Sequence, residues 1–116
     1  MNEIEELLKS GADVNTKDKN NFTLLMSFVE KGDIKVVKIL LDYGARVNAK
    51  DFADFTALDY AIKNKHTAIA KLLVEEGANI SNDNYILAVK SNNKELVSFF
   101  DTLDPNKYIF LKNKMK

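Results

Sequence analysis

One five-residue phrase recurs at a fixed interval: Gly11-Ala12-Asp13-Val14-Asn15, Gly44-Ala45-Arg46-Val47-Asn48 and Gly77-Ala78-Asn79-Ile80-Ser81, each 33 residues after the one before. A constant period of this size is the mark of stacked supersecondary units, none of which can bury its apolar face without a neighbour. The chain is therefore expected to form a solenoid. Such a stack offers an extended surface for binding and no enclosed pocket for chemistry.

Within the period, two short helical patterns follow each polar stretch. Ala61, Ile62, Ile69, Leu72 and Leu73 recur at spacings that place them on one helix face, and Phe28, Val29, Val36, Ile39 and Leu40 repeat the set one period earlier. Thr23 and Thr56 stand where a hydroxyl can accept from the free amides of a first helical turn. Gly32 separates the two helices of the first copy and Gly44 ends them, since glycine enters the left-handed region at little cost.

Asp18-Lys19-Asn20-Asn21-Phe22-Thr23-Leu24-Leu25-Met26 and Asp51-Phe52-Ala53-Asp54-Phe55-Thr56-Ala57-Leu58-Asp59, each leading to a helix pair and a Gly-Ala turn, resemble the ankyrin repeat. That pattern runs Asp-x-x-Gly-x-Thr-Pro-Leu-His, a helix, Gly-His, a second helix ending Leu-Leu, then Gly-Ala-Asp-Val-Asn. The resemblance implies an all-α solenoid of stacked helix-turn-helix units with short β-hairpin fingers. Asn21 and Asp54 replace the fingertip glycine and tolerate positive φ, so the turn is expected to survive. Leu24 and Ala57 replace the proline at helix entry. The histidine that ties neighbouring repeats in the family is Met26 in one copy and Asp59 in the other, which predicts a weakened polar tie, with packing by Met26 in its place.

The ends are irregular. Ile4, Leu7 and Leu8 align with Val37, Leu40 and Leu41, so residues 1–15 read as the outer helix of a partial repeat. Residues 16–48 and 49–81 are full repeats. Ala88-Val89, Leu96-Val97 and Phe99-Phe100 match Ala61-Ile62, Ile69-Ala70 and Leu72-Leu73 at an offset of 27, six short of the period, so residues 82–103 read as a helix pair without its finger. Asp83 is the expected cap of that pair, and Asn92 takes the interhelical glycine position. Asp104-Pro105 then predicts the start of a capping helix within residues 104–116, with Tyr108, Ile109, Phe110 and Leu111 covering the last apolar face. This segment is too short and too weakly amphipathic to read as a membrane helix.

The remaining composition narrows the function. Lys+Arg 17 balances Asp+Glu 17, which gives no footprint for nucleic acid. Without cysteine there is no disulfide framework, thiol nucleophile or thiolate metal site. His66 is the one histidine, and the family places it after the interhelical turn, where it helps satisfy helix-end groups; alone it makes no zinc site of usual composition. No nucleophile elbow, phosphate loop or paired-carboxylate motif occurs, so no enzymatic activity, cofactor or metal is expected. No stretch reaches membrane-spanning length and the N-terminal segment lacks the form of a secretory signal, so the expected location is cytoplasmic.

What the resemblance implies for binding is a protein partner, gripped by the fingertips and the concave inner-helix face. Carried over position by position, these are Lys17, Lys19, Asn20 and Phe22 on the first finger and Lys50, Phe52, Ala53 and Phe55 on the second. On the inner helices they are Ser27, Glu30 and Lys31, then Tyr60, Lys63 and Asn64, with Lys90 and Ser91 in the fingerless pair. Phe52 is the unusual one, an aromatic where the family carries a polar residue. It either packs with Phe55 or Phe22 across the fingers or waits for a partner. Aromatics beside lysines would suit an acidic, partly apolar segment. The expected state is a monomer; the rival reading is a self-associating structural or accessory subunit that uses the edge formed by Ile4, Leu7 and Leu8.

Overall fold

Each inner helix starts at a hydroxyl residue with extended backbone. In the computed structural model, which describes residues 3–114, Thr23 caps α2 (Leu24–Lys31) and Thr56 caps α4 (Ala57–Lys63), each accepting from the amide three residues on. The third inner helix, α6 (Asn82–Lys90), is capped by Ser81, whose Oγ accepts from Asn84 N at 3.0 Å while Asn84 Oδ1 accepts from Ser81 N at 2.8 Å. Asp83 is thus not the cap, contrary to expectation. It lies inside the first turn, because α6 grows N-terminally into the preceding turn once no finger intervenes.

The outer helices are α1 (Glu3–Lys9), α3 (Ile34–Asp42), α5 (Thr67–Glu75) and α7 (Lys94–Leu103). Inner helices stack on inner and outer on outer, giving an elongated body of 51 × 27 × 19 Å. Between the layers lies a continuous apolar seam that includes Val29, Val37, Leu40, Ile62, Leu73, Ala88, Leu96 and Phe100, all fully buried. At the turn between paired helices Gly32, Lys65 and Asn92 are all left-handed, with φ of 78, 60 and 57°. Gly32 answers a second demand, since a Cβ there would stand 2.6 Å from the His66 ring.

The Gly-Ala phrase links successive repeats. Asn15 Oδ1 accepts from Arg46 N at 2.9 Å, and one period later Asn48 Oδ1 accepts from Asn79 N at 2.8 Å. His66 Nε2 donates to the Glu30 carbonyl at 3.0 Å, tying α5 to the end of α2. Met26 is buried and supplies packing, as expected. At Asp59 a polar tie between repeats is present, its Oδ1 accepting a short hydrogen bond from Asn84 Nδ2 on the next inner helix.

At the far end Asp104 closes α7 instead of opening the next helix, and a turn intervenes before α8 (Ile109–Lys114). Tyr108 is buried and stacks on Tyr85 with centroids 4.1 Å apart and planes at 7°. The Tyr85 hydroxyl donates to Asp101 Oδ1 at 3.0 Å, and Lys112 Nζ lies 2.7 Å from Asp101 Oδ2. Tyr108 and half-buried Leu111 do the covering; Ile109 and Phe110 remain exposed, against the expectation that all four would pack.

Candidate functional site

Both fingers are built on an aspartate. Asp18 Oδ1 accepts from Asn20 N at 2.8 Å and Phe22 N at 3.0 Å, and Asp51 Oδ1 accepts from Ala53 N at 2.9 Å and Phe55 N at 3.0 Å. The tips turn through Asn21 and Asp54 at φ of 61 and 69°, as those residue types predict. The fingers are tight loops, with an isolated antiparallel bridge between Lys17 and Thr23 in the first and no named strand among the described residues. A backbone hydrogen bond from Phe52 N to Asn20 O, 3.0 Å long, locks the second finger against the first.

The fingers differ beneath the tips. Asp18 is exposed, whereas Asp51 is buried at 8% and receives the Tyr60 hydroxyl on Oδ2. Burial pushes the Asp51 carboxyl up, but the hydrogen bonds from Tyr60, Phe55 and Ala53 outweigh it and hold the group below the usual aspartate range. Burial and the adjacent Asp51 together push the Tyr60 phenol well above its ordinary range. Tyr60 is also the hub of the aromatic face, meeting Phe22 edge-on at 5.3 Å and Phe55 at 5.8 Å.

Asp18, Asn20, Phe22, Asp51, Phe52, Ala53 and Tyr60 line a cleft of about 380 Å³ between the fingers and the inner helices. Phe52 stands at this cleft 75% exposed, with no ring partner among the described residues. It packs on neither Phe55 nor Phe22, which instead meet Tyr60. Lys17 and Lys50 line a separate recess of about 60 Å³ together with Arg46, and Lys19 is exposed. Lys50 lies 3.5 Å from Asp54, Lys31 rests over the Phe28 ring at 4.9 Å and Lys63 over Phe55 at 5.7 Å. Glu30 and Asn64 are exposed on the inner-helix ends, Ser27 is half-buried, and Lys90 and Ser91 lie at the end of α6. The charged groups of the aromatic cleft are therefore Asp18 and Asp51, neither of them among the residues expected at the site; their equal place in two copies of the repeat is the signal that marks them.

Among the described residues no group of histidine, aspartate and glutamate side chains is arranged to hold a metal ion. No described helix is long and apolar enough to cross a membrane. A family model described as ankyrin repeats, in three copies, matches residues 2–84. No curated protein matches the chain.

Proposed function

Because the chain belongs to the ankyrin-repeat family, we propose that it is a non-enzymatic module that holds one partner protein across its fingertips and inner-helix face. Ankyrin repeats generally serve as protein–protein interaction modules, and the family is typically non-enzymatic. The observation that carries the finer reading is Phe52, three-quarters exposed and without a ring partner at the mouth of the inter-finger cleft. A large apolar ring held on a hydrogen-bonded loop costs little entropy to dock and gains the full benefit of desolvation when covered. Its neighbours Phe22, Tyr60 and Ala53 would frame an apolar side chain of the partner, with Lys19, Asn20 and Phe55 around it.

The test is capture from a lysate of the source cells, followed by titration of the captured protein against the chain and against Phe52→Ala. The expected result is a loss of affinity of about thirtyfold, the size of a 2 kcal/mol hot spot, with an unchanged helical spectrum. Equal affinity removes the inter-finger cleft as the docking face. Leu7, 54% exposed on α1, supports a second reading, self-association through that edge. Sedimentation decides it: a concentration-dependent dimer abolished by Leu7→Glu supports self-association, and a concentration-independent monomer ends it.

A further inference from the structure

The missing third finger leaves a slot of about 280 Å³ beside the second one. One wall is the flank of that finger, with Ala53, Asp54 and Phe55; the floor is the start of α6, with Asp83 and Asn84. The slot repeats the setting of the contact between the first two fingers. There the Asn20 carbonyl accepts from Phe52 N. One period later the same carbonyl belongs to Ala53, and among the described residues nothing donates to it. Phe55 offers an apolar wall, 40% exposed.

The charge of the slot is negative. Asp54 is offset by Lys50 at 3.5 Å, and Asp59 has both oxygens engaged by Thr56 and Asn84, but its charge remains. Asp83 is exposed, and its carboxylate makes no hydrogen bond or ion pair among the described residues. An extended backbone laid along an unpaired edge gains hydrogen bonds without disturbing the fold, and opposite charge sets its register and its selectivity.

We propose that this slot receives a basic, turn-forming loop of the partner protein, whose backbone stands in for the absent finger. The loop donates an amide to the Ala53 carbonyl, rests an apolar atom on Phe55 and brings a lysine or arginine to Asp83. This rests on the reading of the chain as a protein-binding module; the slot shares Ala53 and Phe55 with the proposed docking face but is not lined by Phe52, and the cleft at Phe52 is not lined by Asp83.

Two synthetic peptides test it: one copying residues 49–57 of this chain, the other the same peptide with Asp54→Lys. Each is titrated into ¹⁵N-labelled full-length protein. The expected amide shifts cluster at residues 53–56 and 79–84, the basic peptide binding about threefold or more tightly than the plain copy. In the Asp83→Lys protein that preference disappears, and in the Phe52→Ala protein it persists, so this test and that of the docking cleft fail independently. Shifts centred on Asp18 and Phe22, no saturable shift at millimolar peptide, or equal affinity of the two peptides would overturn the proposal.

Discussion

The seam between α2 and α4 and the seam between α4 and α6 join equivalent helices by different chemistry. In the first, the residue three positions into the inner helix is Met26, buried to 1%, with its sulfur 3.4 Å from Thr23 N. In the second it is Asp59, which accepts from Thr56 N at 2.8 Å and from the Asn84 amide across the seam. The first depends on dispersion and on filled volume, the second on one satisfied polar pair. Solenoid stability is roughly a sum of such interfaces, so each seam can be challenged on its own terms.

The largest effect is expected at Met26. Met26→Ala removes a buried thioether and leaves a cavity, at a cost of about 3 kcal/mol. For a domain whose whole stability is about 5–15 kcal/mol that is a large share, and it should appear in urea unfolding as a lower midpoint with a similar slope. If the loss is under about 1 kcal/mol, the first seam collapses around the gap and packing is not what distinguishes it.

A smaller loss, about 2 kcal/mol at neutral pH, is expected for Asn84→Asp. The Ser81 capping box can be retained by the new carboxylate, but two carboxylates then face each other across the seam. Like charges raise the folded-state pKa of one of them, so the folded protein binds a proton more tightly than the unfolded chain. Stability should therefore recover as pH falls through that raised value, the opposite of ordinary acid destabilisation. A uniform loss at every pH would show that the Asp59–Asn84 contact matters through shape and not through charge.

The contrast between the seams also marks the reach of the sequence. Thr23, Thr56, Asn21, Asp54 and Asn92 could be read in advance because each satisfies a local backbone requirement, a free first-turn amide or a positive φ. The Asp59–Asn84 pair could not. The two residues lie 25 apart, a spacing set by the lost finger and by the N-terminal growth of α6, and neither change is fixed by the apolar pattern that located the helix. The same ambiguity put the cap on Asp83 instead of Ser81. Asp104-Pro105 has the composition of a helix start, yet the Asp104 amide still bonds Phe100 O at 3.3 Å, and the intervening turn brings Tyr108 onto Tyr85. At the candidate site the repeat located the fingers, but where the Phe52 ring settles depends on whether Tyr60 occupies the space below it. Tyr60 does so with Phe22 and Phe55, and Phe52 is left outside.

The smallest effect separates the two fingers themselves. Ser27 stands one period before Tyr60, so the first finger lacks the phenol that the second places on its aspartate. Tyr60→Phe keeps the ring for Phe22 and Phe55 and removes only the hydroxyl, at a cost of about 1.5 kcal/mol, since the bond is to a charged group. Asp51 is held below the usual carboxylate range, so its contribution is present above the unfolded pKa of about 3.9 and is lost as pH falls through the depressed folded value. Without the hydroxyl that depression shrinks, and the variant should approach the parent protein in stability as both are acidified. At alkaline pH the sign reverses: Tyr60 has a raised pKa, so its contribution is complete below about 10 and is lost as pH rises beyond it. A spectrophotometric titration of the folded protein should accordingly show a late-ionising phenol component that Tyr60→Phe reduces and Ser27→Ala leaves untouched. Should Tyr60→Phe leave both the acid limb and the late component as they were, the two fingers would be electrostatically alike, and the buried aspartate beneath the second would owe its ionised state to the Ala53 and Phe55 amides alone.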